Sequence, residues 1–464
     1  MTHSSISKNI LIIDIGKTHI KLYVLNADYE AVFSKEADNV VDTSGNYPMV
    51  DVDFLWQWVT SGIKEATAKF VISAMTVTTH GATAALINSE AQNLVLPILD
   101  YEYTGIDELN DEYQIVKPDF NETYSPDLPA GLNLGKQLFW LQKKYPEAFA
   151  KTTDILMYPQ YWAWRLTGKK VSEITSLGCH TDLWSMDDWG YSSLVKLKGW
   201  QNLFPTVVPA WEPVGCVLPD LAKELGLPED CQIHAGIHDS NASFLRYRLS
   251  QNDAPFTVIS TGTWTISMAA NVALNTLMPN QDMLANIDAT GKPIACGRFM
   301  GGREFDTICQ LTGAQVSDPY DLSDIESIIE QDVYILPDFS GGSGPFGTRE
   351  GEIIGDVSKI KGVALASLYC ALMIDYQLEQ LAAQGDIYIE GVLLKNPQLC
   401  SLLAQLRTAQ KVNLSTDTTG TVQGAACLTN WYGADCKVNT VAVDASQVAG
   451  LAAYKQAWLK RLAS

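Results

Sequence analysis

Asn9-Ile10-Leu11-Ile12-Ile13-Asp14-Ile15-Gly16-Lys17-Thr18-His19-Ile20-Lys21-Leu22-Tyr23-Val24 is the stretch from which the rest of the chain is best read. The unbroken apolar run Ile10 to Ile13 is what a strand covered on both faces needs, and Ile20, Leu22 and Val24 alternate as a half-covered strand does. Between them Gly16 marks a tight turn. The result is a hairpin that puts the Asp14 carboxylate at a strand end, beside turn N–H groups, Thr18, Lys17 and Lys21. These parts suit a metal and phosphates; the plainer alternative is an Asp and a Gly serving turn geometry alone.

The same plan recurs once. Phe256, Val258 and Ile259 lead into Thr261-Gly262-Thr263, and Ile266 and Met268 lead out. A repeated glycine-threonine hairpin near mid-chain predicts two copies of one domain plan, residues 1–250 and 251–464. Helical patterns at 54–69, 136–144, 161–166, 363–381 and 397–409 alternate with strand-like runs at 70–77 and 387–392, which predicts a mixed α/β class.

Bulk properties fit that reading. A chain of 464 residues, 47% hydrophobic and 18% charged, has material for two cores of roughly 200 residues each. A net charge of -21 argues against nucleic acid or an anionic membrane as partner, since both require a basic surface. It does not exclude a nucleotide held by local N–H groups, a lysine and a cation. The nine cysteines lie between Cys179 and Cys436 with no C-x-x-C pair, so neither a disulfide framework nor a zinc site is expected. A short polar start before the first strand predicts no signal peptide, no membrane span and a cytoplasmic protein.

Two familiar nucleotide motifs fail. Gly16-Lys17-Thr18 lacks the P-loop glycine five places earlier, where Leu11 stands. Gly342 to Gly347 fits G-x-G-x-x-G, but Pro345 interrupts it and no strand-to-helix pattern surrounds it, so a loop is expected. Ala235 to Ser243 packs His238, Asp239, Ser240 and Asn241 together; Asp239 is either a helix cap or a carboxylate placed to take a hydroxyl proton. His180 and His234 have no companions at ligand spacing. Tyr161, Trp162 and Trp164 read as core, and Arg298 and Arg303 fit a phosphate contact or a surface loop equally well.

Taken in order, these segments resemble one family. Asp14 to Lys21 is similar to the first phosphate motif of the FGGY carbohydrate kinases, within the actin/hexokinase-like ATPase superfamily. Thr79-His80-Gly81 resembles the family's substrate-side stretch, Arg165-Leu166-Thr167-Gly168 its Leu-Thr-Gly helix end, and Gly236-Ile237-His238-Asp239 the motif of its catalytic Asp. Ser260 to Trp264 resembles the second phosphate motif, and its Gly-Thr-Trp form leans toward the rhamnulokinase branch. Glu390-Gly391, Asn396, Gln405 and Gly424-Ala425-Ala426 resemble the adenosine segment.

The resemblance implies two ribonuclease H-like domains with a hinge and an interdomain cleft, an N-terminal sugar side and a C-terminal ATP side. It implies ATP and Mg²⁺, with Asp239 as general base acting on a ketose, deoxyketose or polyol. Gly16, Lys17, Thr18, Thr261, Gly262, Thr263, Gly391, Asn396 and Gly424 would serve ATP. His80, Gly81, Glu102 and Asp239 would serve the sugar, and Asp14 and Asp239 the metal. Three departures stand out: relatives usually carry Thr or Ser at the Lys17 position, Gly-Gly where this chain has Glu390-Gly391, and an Asp followed by Arg where this chain has Asp100-Tyr101-Glu102. A catalytically silent sugar sensor is the alternative, opposed by the intact Asp14 and Asp239. A chaperone-like ATPase would need a peptide-binding module for which too little sequence follows Gly424. A homodimer is an open expectation.

Overall fold

The computed structural model describes residues 9–251, 253–417, 419–433 and 438–463. Cα packing divides the chain into two compact units: Met1–Ser250 with Ala285–Pro293 and Thr418–Lys437, and Gln251–Leu284 with Ile294–Asp417 and Val438–Ser464. The chain thus leaves the first unit after Ser250 and returns to it twice.

In the first unit the strands run in the order Pro213–Cys216, Gln232–His234, Ile72–Thr79, Asn9–Ile15, His19–Leu25, Ala31–Asp38, with Ile237–His238 also on Ile72–Thr79. Asn9–Ile15 pairs antiparallel with His19–Leu25 and parallel with Ile72–Thr79. Burial on both faces explains its continuous Ile/Leu run, whereas the edge strand Ala31–Asp38 alternates because one face meets water.

The second unit repeats the plan. Phe256–Thr261 pairs antiparallel with Thr265–Ala270 and parallel with Asp386–Gly391, followed by Val412–Ser415 and Thr440–Ala442. Both sheets place the first strand of a hairpin against a parallel neighbour, and each hairpin turn spans three residues, 16–18 and 262–264. The repeated glycine-threonine signal therefore marks a repeated sheet.

The helices arise where the apolar period required them. Val52–Thr67 begins at Asp51, whose side chain accepts from Phe54 N at 2.9 Å, and buries Leu55, Val59 and Ile63 on the sheet. Tyr158–Thr167 ends at Gly168, and Tyr161, Trp162 and Trp164 lie in the core as read from their spacing. Helix Gly420–Cys427 packs on helix Asp239–Ser250 in the first unit, burying Val422, Ala425 and Ala426 with Ala242 and Leu245.

Residues 342–347 form an anchored loop. Gly342 N donates to Asp338 and Gly344 N to Asp282. Seven described cysteines are thiols outside any disulfide and Cys427 is disulfide-bonded; Cys436 lies outside the described residues. His180 and His234 each place Nδ1 2.8 Å from a backbone carbonyl, of Leu132 and Trp211. No helix among the described residues is long and apolar enough to cross a membrane.

Candidate active site

Three parallel strand ends assemble the polar centre of the first unit. Asp14 lies opposite Thr78, and Ile237 and His238 lie opposite Thr78 and Thr79, so Asp14, His80 and Asp239 all emerge at the same edge of the sheet. The carboxyl edge of a parallel sheet is where side chains leave the ladder without disrupting it. His80 N donates to Ile15 O at 3.0 Å, which fixes the start of the His80-Gly81 turn against the first hairpin.

The electrostatics of this centre are set by burial. Burial, then the nearby Asp239 charge, pushes the Asp14 carboxyl up to about 7, with Lys21 opposing. Burial also raises Asp239 and lowers His80, and the two interact. Two carboxyls held back from ionising together are what a bound cation relieves. No cluster of three or more metal-ligating side chains occurs among the described residues. Two hard oxygen donors nevertheless fit Mg²⁺, which takes one or two carboxylates and completes its shell with water and phosphate oxygens.

Lys17 points toward Asp100. Its ammonium pairs with Asp100, lies 3.3 Å from Glu102 Oε2 and sits 4.9 Å over the Tyr101 ring. The side chain read as a phosphate ligand is thus engaged with the segment read as the sugar loop. Gly16 N donates to His19 O and closes the hairpin; Thr18 is exposed in the same turn.

In the second unit a cavity of about 790 Å³ opens at the other hairpin. Thr261, Gly262, Thr263 and Asn396 line it, together with Gly301, Gly302 and Arg303 at the start of helix Gly301–Leu311. Gly302 N donates to Thr263 O at 3.2 Å and Gly262 N to Trp264 O at 2.8 Å, which seats the helix start against the turn, and a helix N-terminus is a common place for phosphate. Val316, Pro319, Tyr320 and Leu393 give the remaining wall an apolar surface. Thr261 Oγ1 donates to Glu390 O and accepts from Leu393 N at 3.0 Å, tying the turn to the neighbouring strand.

Other expected residues support the walls. Gly391 has φ 88°, and a Cβ there would lie 2.0 Å from Thr261 O, so the strand crossing requires glycine. Asn396 caps helix Pro397–Leu406 through Leu399 N, accepts from Tyr320 OH at 2.6 Å and donates to Ser367 Oγ at 3.0 Å. Gly424 lies in the first unit, where a Cβ would meet Ala242 O at 1.7 Å. Neither Gly391 nor Gly424 lines the cavity. Of the two arginines, Arg298 is ion-paired with Asp282 at 2.7 Å and stacked over Trp264, while Arg303 borders the cavity. Gly301 and Gly302 carried no site reading in the sequence; their signal was a glycine pair immediately before a helical period.

Family profiles described as "FGGY family of carbohydrate kinases, N-terminal domain" and "Carbohydrate kinase FGGY, C-terminal domain" match residues 9–245 and 253–437. The chain belongs to the FGGY family of carbohydrate kinases. A carbohydrate kinase structure from Novosphingobium aromaticivorans is 30% identical, with a TM-score of 0.91 over 98% of this chain and 99% of that one. Xylulose kinase from Lactobacillus acidophilus, 16% identical, shares the fold with a TM-score of 0.80, covering 98% of this chain and 97% of that one. L-fuculokinase of Escherichia coli (strain K12) is 23% identical over 281 residues, 59% of this chain and 58% of that protein. Rhamnulokinase of Oceanobacillus iheyensis is 26% identical over 274 residues, 55% of each chain. The chain therefore matches somewhat more than half the length of these curated relatives. The two-domain actin/hexokinase-like fold expected from the motifs is the fold of these FGGY kinases.

Proposed function

We propose that this FGGY protein is an ATP-dependent kinase that phosphorylates a hydroxyl of a small ketose, deoxyketose or polyol, with Asp239 as general base. The observation that carries the reading is the convergence of Asp14, His80 and Asp239 on one sheet edge of the first unit. The glycine-threonine turn beside a nucleotide-sized cavity in the second unit supports it.

Phosphoryl transfer asks mainly for positioning and charge neutralisation. Asp239 orients the acceptor hydroxyl and takes its proton as the oxygen bonds to phosphorus. His80, kept neutral by burial, offers a ring N–H or lone pair to the sugar without adding charge. Lys17, Asp100 and Glu102 form the outer sugar contact, which reassigns Lys17 from the phosphate side. Thr261, Gly262, Thr263 and the N-terminus of helix Gly301–Leu311 receive the phosphates, with Asn396 lining the nucleotide cavity and Gly391 packed behind Thr261. Asp14 and Asp239 would hold Mg²⁺, which when bound neutralises phosphate charge.

An ADP-release assay over ketoses, deoxyketoses, polyols and sugar acids tests this. Sugar-dependent ADP formation that is lost in a folded Asp239→Asn protein is expected. Sugar binding without turnover would instead identify the silent sensor.

A further inference from the structure

The hairpin turn that borders the cavity of the second unit is held at its third residue. Gly262 N closes the turn on Trp264 O at 2.8 Å, while a Cβ built at Gly262 would meet nothing within 4 Å beyond its chain neighbours. The shape of the turn therefore depends on where Trp264 is fixed. Its ring centroid lies 4.7 Å from the Arg298 guanidinium carbon. Arg298 stands on the adjoining antiparallel strand Pro293–Phe299, opposite Ile266, two residues beyond Trp264.

Arg298 is fixed in its turn by two further segments. Its Nε donates to Asp282 Oδ1 at 2.7 Å, and Asp282 Oδ2 accepts from Gly344 N at 3.0 Å, so both carboxylate oxygens are engaged. The two side chains are only 12% and 13% exposed, which leaves the pair weakly screened by solvent. A planar guanidinium can lay its face on a ring and its edge on a carboxylate at once, whereas an ammonium is a single point of charge. Gly344 has φ 88°, and a Cβ there would lie 2.8 Å from Phe299 Cβ, so glycine is what lets the loop approach the residue beside Arg298. The G-x-G-x-x-G spacing of residues 342–347 thus has a use that needs no dinucleotide: its second glycine brings an N–H to Asp282.

We propose that Arg298 is a positioning residue for nucleotide binding: it clamps the Trp264 ring and so fixes the phosphate-receiving turn, while Asp282 and the 342–347 loop fix Arg298. The proposal rests on the kinase reading above. Arg298 is not among the residues that line the cavity and acts through Trp264, whereas Gly262 and Thr263 of the same turn do line it. Gly302 N holds Thr263 O at 3.2 Å, so two successive turn residues are tied down, one from the helix start and one from the neighbouring strand. A turn set in place before the nucleotide arrives has less freedom to lose when phosphate binds.

The test is a mutant cycle read by calorimetric titration with the non-hydrolysable ATP analogue AMP-PNP and Mg²⁺, beside thermal melts and sugar kinetics. Arg298→Met should weaken AMP-PNP binding about 10-fold with sugar KM within about 2-fold, and Trp264→Leu should do the same. Because both changes break one clamp, the double variant should bind within about 2-fold of either single one. Adding Asp282→Asn to Arg298→Met removes the stranded carboxylate, so Tm should recover while AMP-PNP binding stays weak. Recovery of Tm and affinity together would show Arg298 to be structural only and overturn the proposal. So would a folded Arg298→Met protein that binds like the wild type, or losses that multiply in the Arg298 and Trp264 double variant. A wild-type protein that binds no AMP-PNP is a separate outcome: it sinks the kinase reading, and the role given to Arg298 with it.

Discussion

The Lys17 ammonium and the Asp100 carboxylate, 83 residues apart in sequence, form an ion pair that ties the first hairpin turn to the loop before Tyr101. Asp100 is buried and Lys17 nearly so, while the second partner, Glu102, is mostly exposed. Removing one member of such a pair strands the other, so the effect should be local and sizeable. Lys17→Met should raise sugar KM about 10-fold and leave ATP KM within about 3-fold; Glu102→Gln should act in the same direction but more weakly, since exposed pairs contribute little. Initial rates with either substrate varied decide it. A rise confined to ATP KM would return Lys17 to the phosphate side.

The two central aspartates should separate by kinetics. Asp239→Asn is expected to lower kcat by about 10²-fold or more with modest change in sugar affinity. Asp14→Asn should in addition raise the Mg²⁺ concentration needed for half-maximal rate, and excess chelator should abolish wild-type turnover. Circular dichroism checks folding in both variants; full activity with chelator present would remove the metal from the mechanism.

Glu173 gives a pH signature of stability rather than of rate. Burial holds its carboxyl up at about 7 in the native protein, against the Thr175 and Ser176 hydrogen bonds that pull it down. The unfolded chain ionises it near 4.5, so the native state binds more protons between those values. Its contribution is thus fully present below about 4.5 and is lost as pH rises through about 7, by about 3 kcal/mol at most. The Tm advantage of wild type over Glu173→Gln should shrink across that window. An advantage that grows with pH would show the carboxylate to be ionised in the fold.

Glycines at the hairpin crossing should divide by what surrounds them. Gly391→Ala drives a Cβ into Thr261 O and should lower stability by about 3 kcal/mol or more. At Gly262 a methyl group would enter open space, with no atom within 4 Å, so Gly262→Ala should melt within a few degrees of wild type while raising ATP KM. Thermal melts beside ATP titrations distinguish the two; an equally unstable Gly262→Ala protein would show the turn to be structural.

The fold was legible where one stretch carried its own period. The hairpins Asn9–Leu25 and Phe256–Ala270 and helix Gly362–Gln380 follow directly from apolar runs and turn glycines. The candidate site was legible as motifs but not as contacts. Lys17 sits in a phosphate-like motif, and only folding reveals Asp100 beside it. His238 and Asn241 were visible beside Asp239, but the contact of Asn241 Nδ2 with Thr175 O joins segments that no local pattern connects. Gly424 reads as a nucleotide residue by motif, while its immediate requirement is closeness to Ala242.

The return of residues after 418 to the first unit has a consequence for how the protein is made. Domains emerging from the ribosome ordinarily close in order, the N-terminal one first. Here helix Asp239–Ser250 waits for helix Gly420–Cys427, translated some 170 residues later, before Ala242 and Leu245 are covered. Until then the nascent first unit carries an uncovered apolar seam, and a fragment stopping at Ser250 keeps it permanently. Helix Asp239–Ser250 is therefore among the last parts of its own unit to be sealed, so its final packing is tied to the synthesis of residues 420–427.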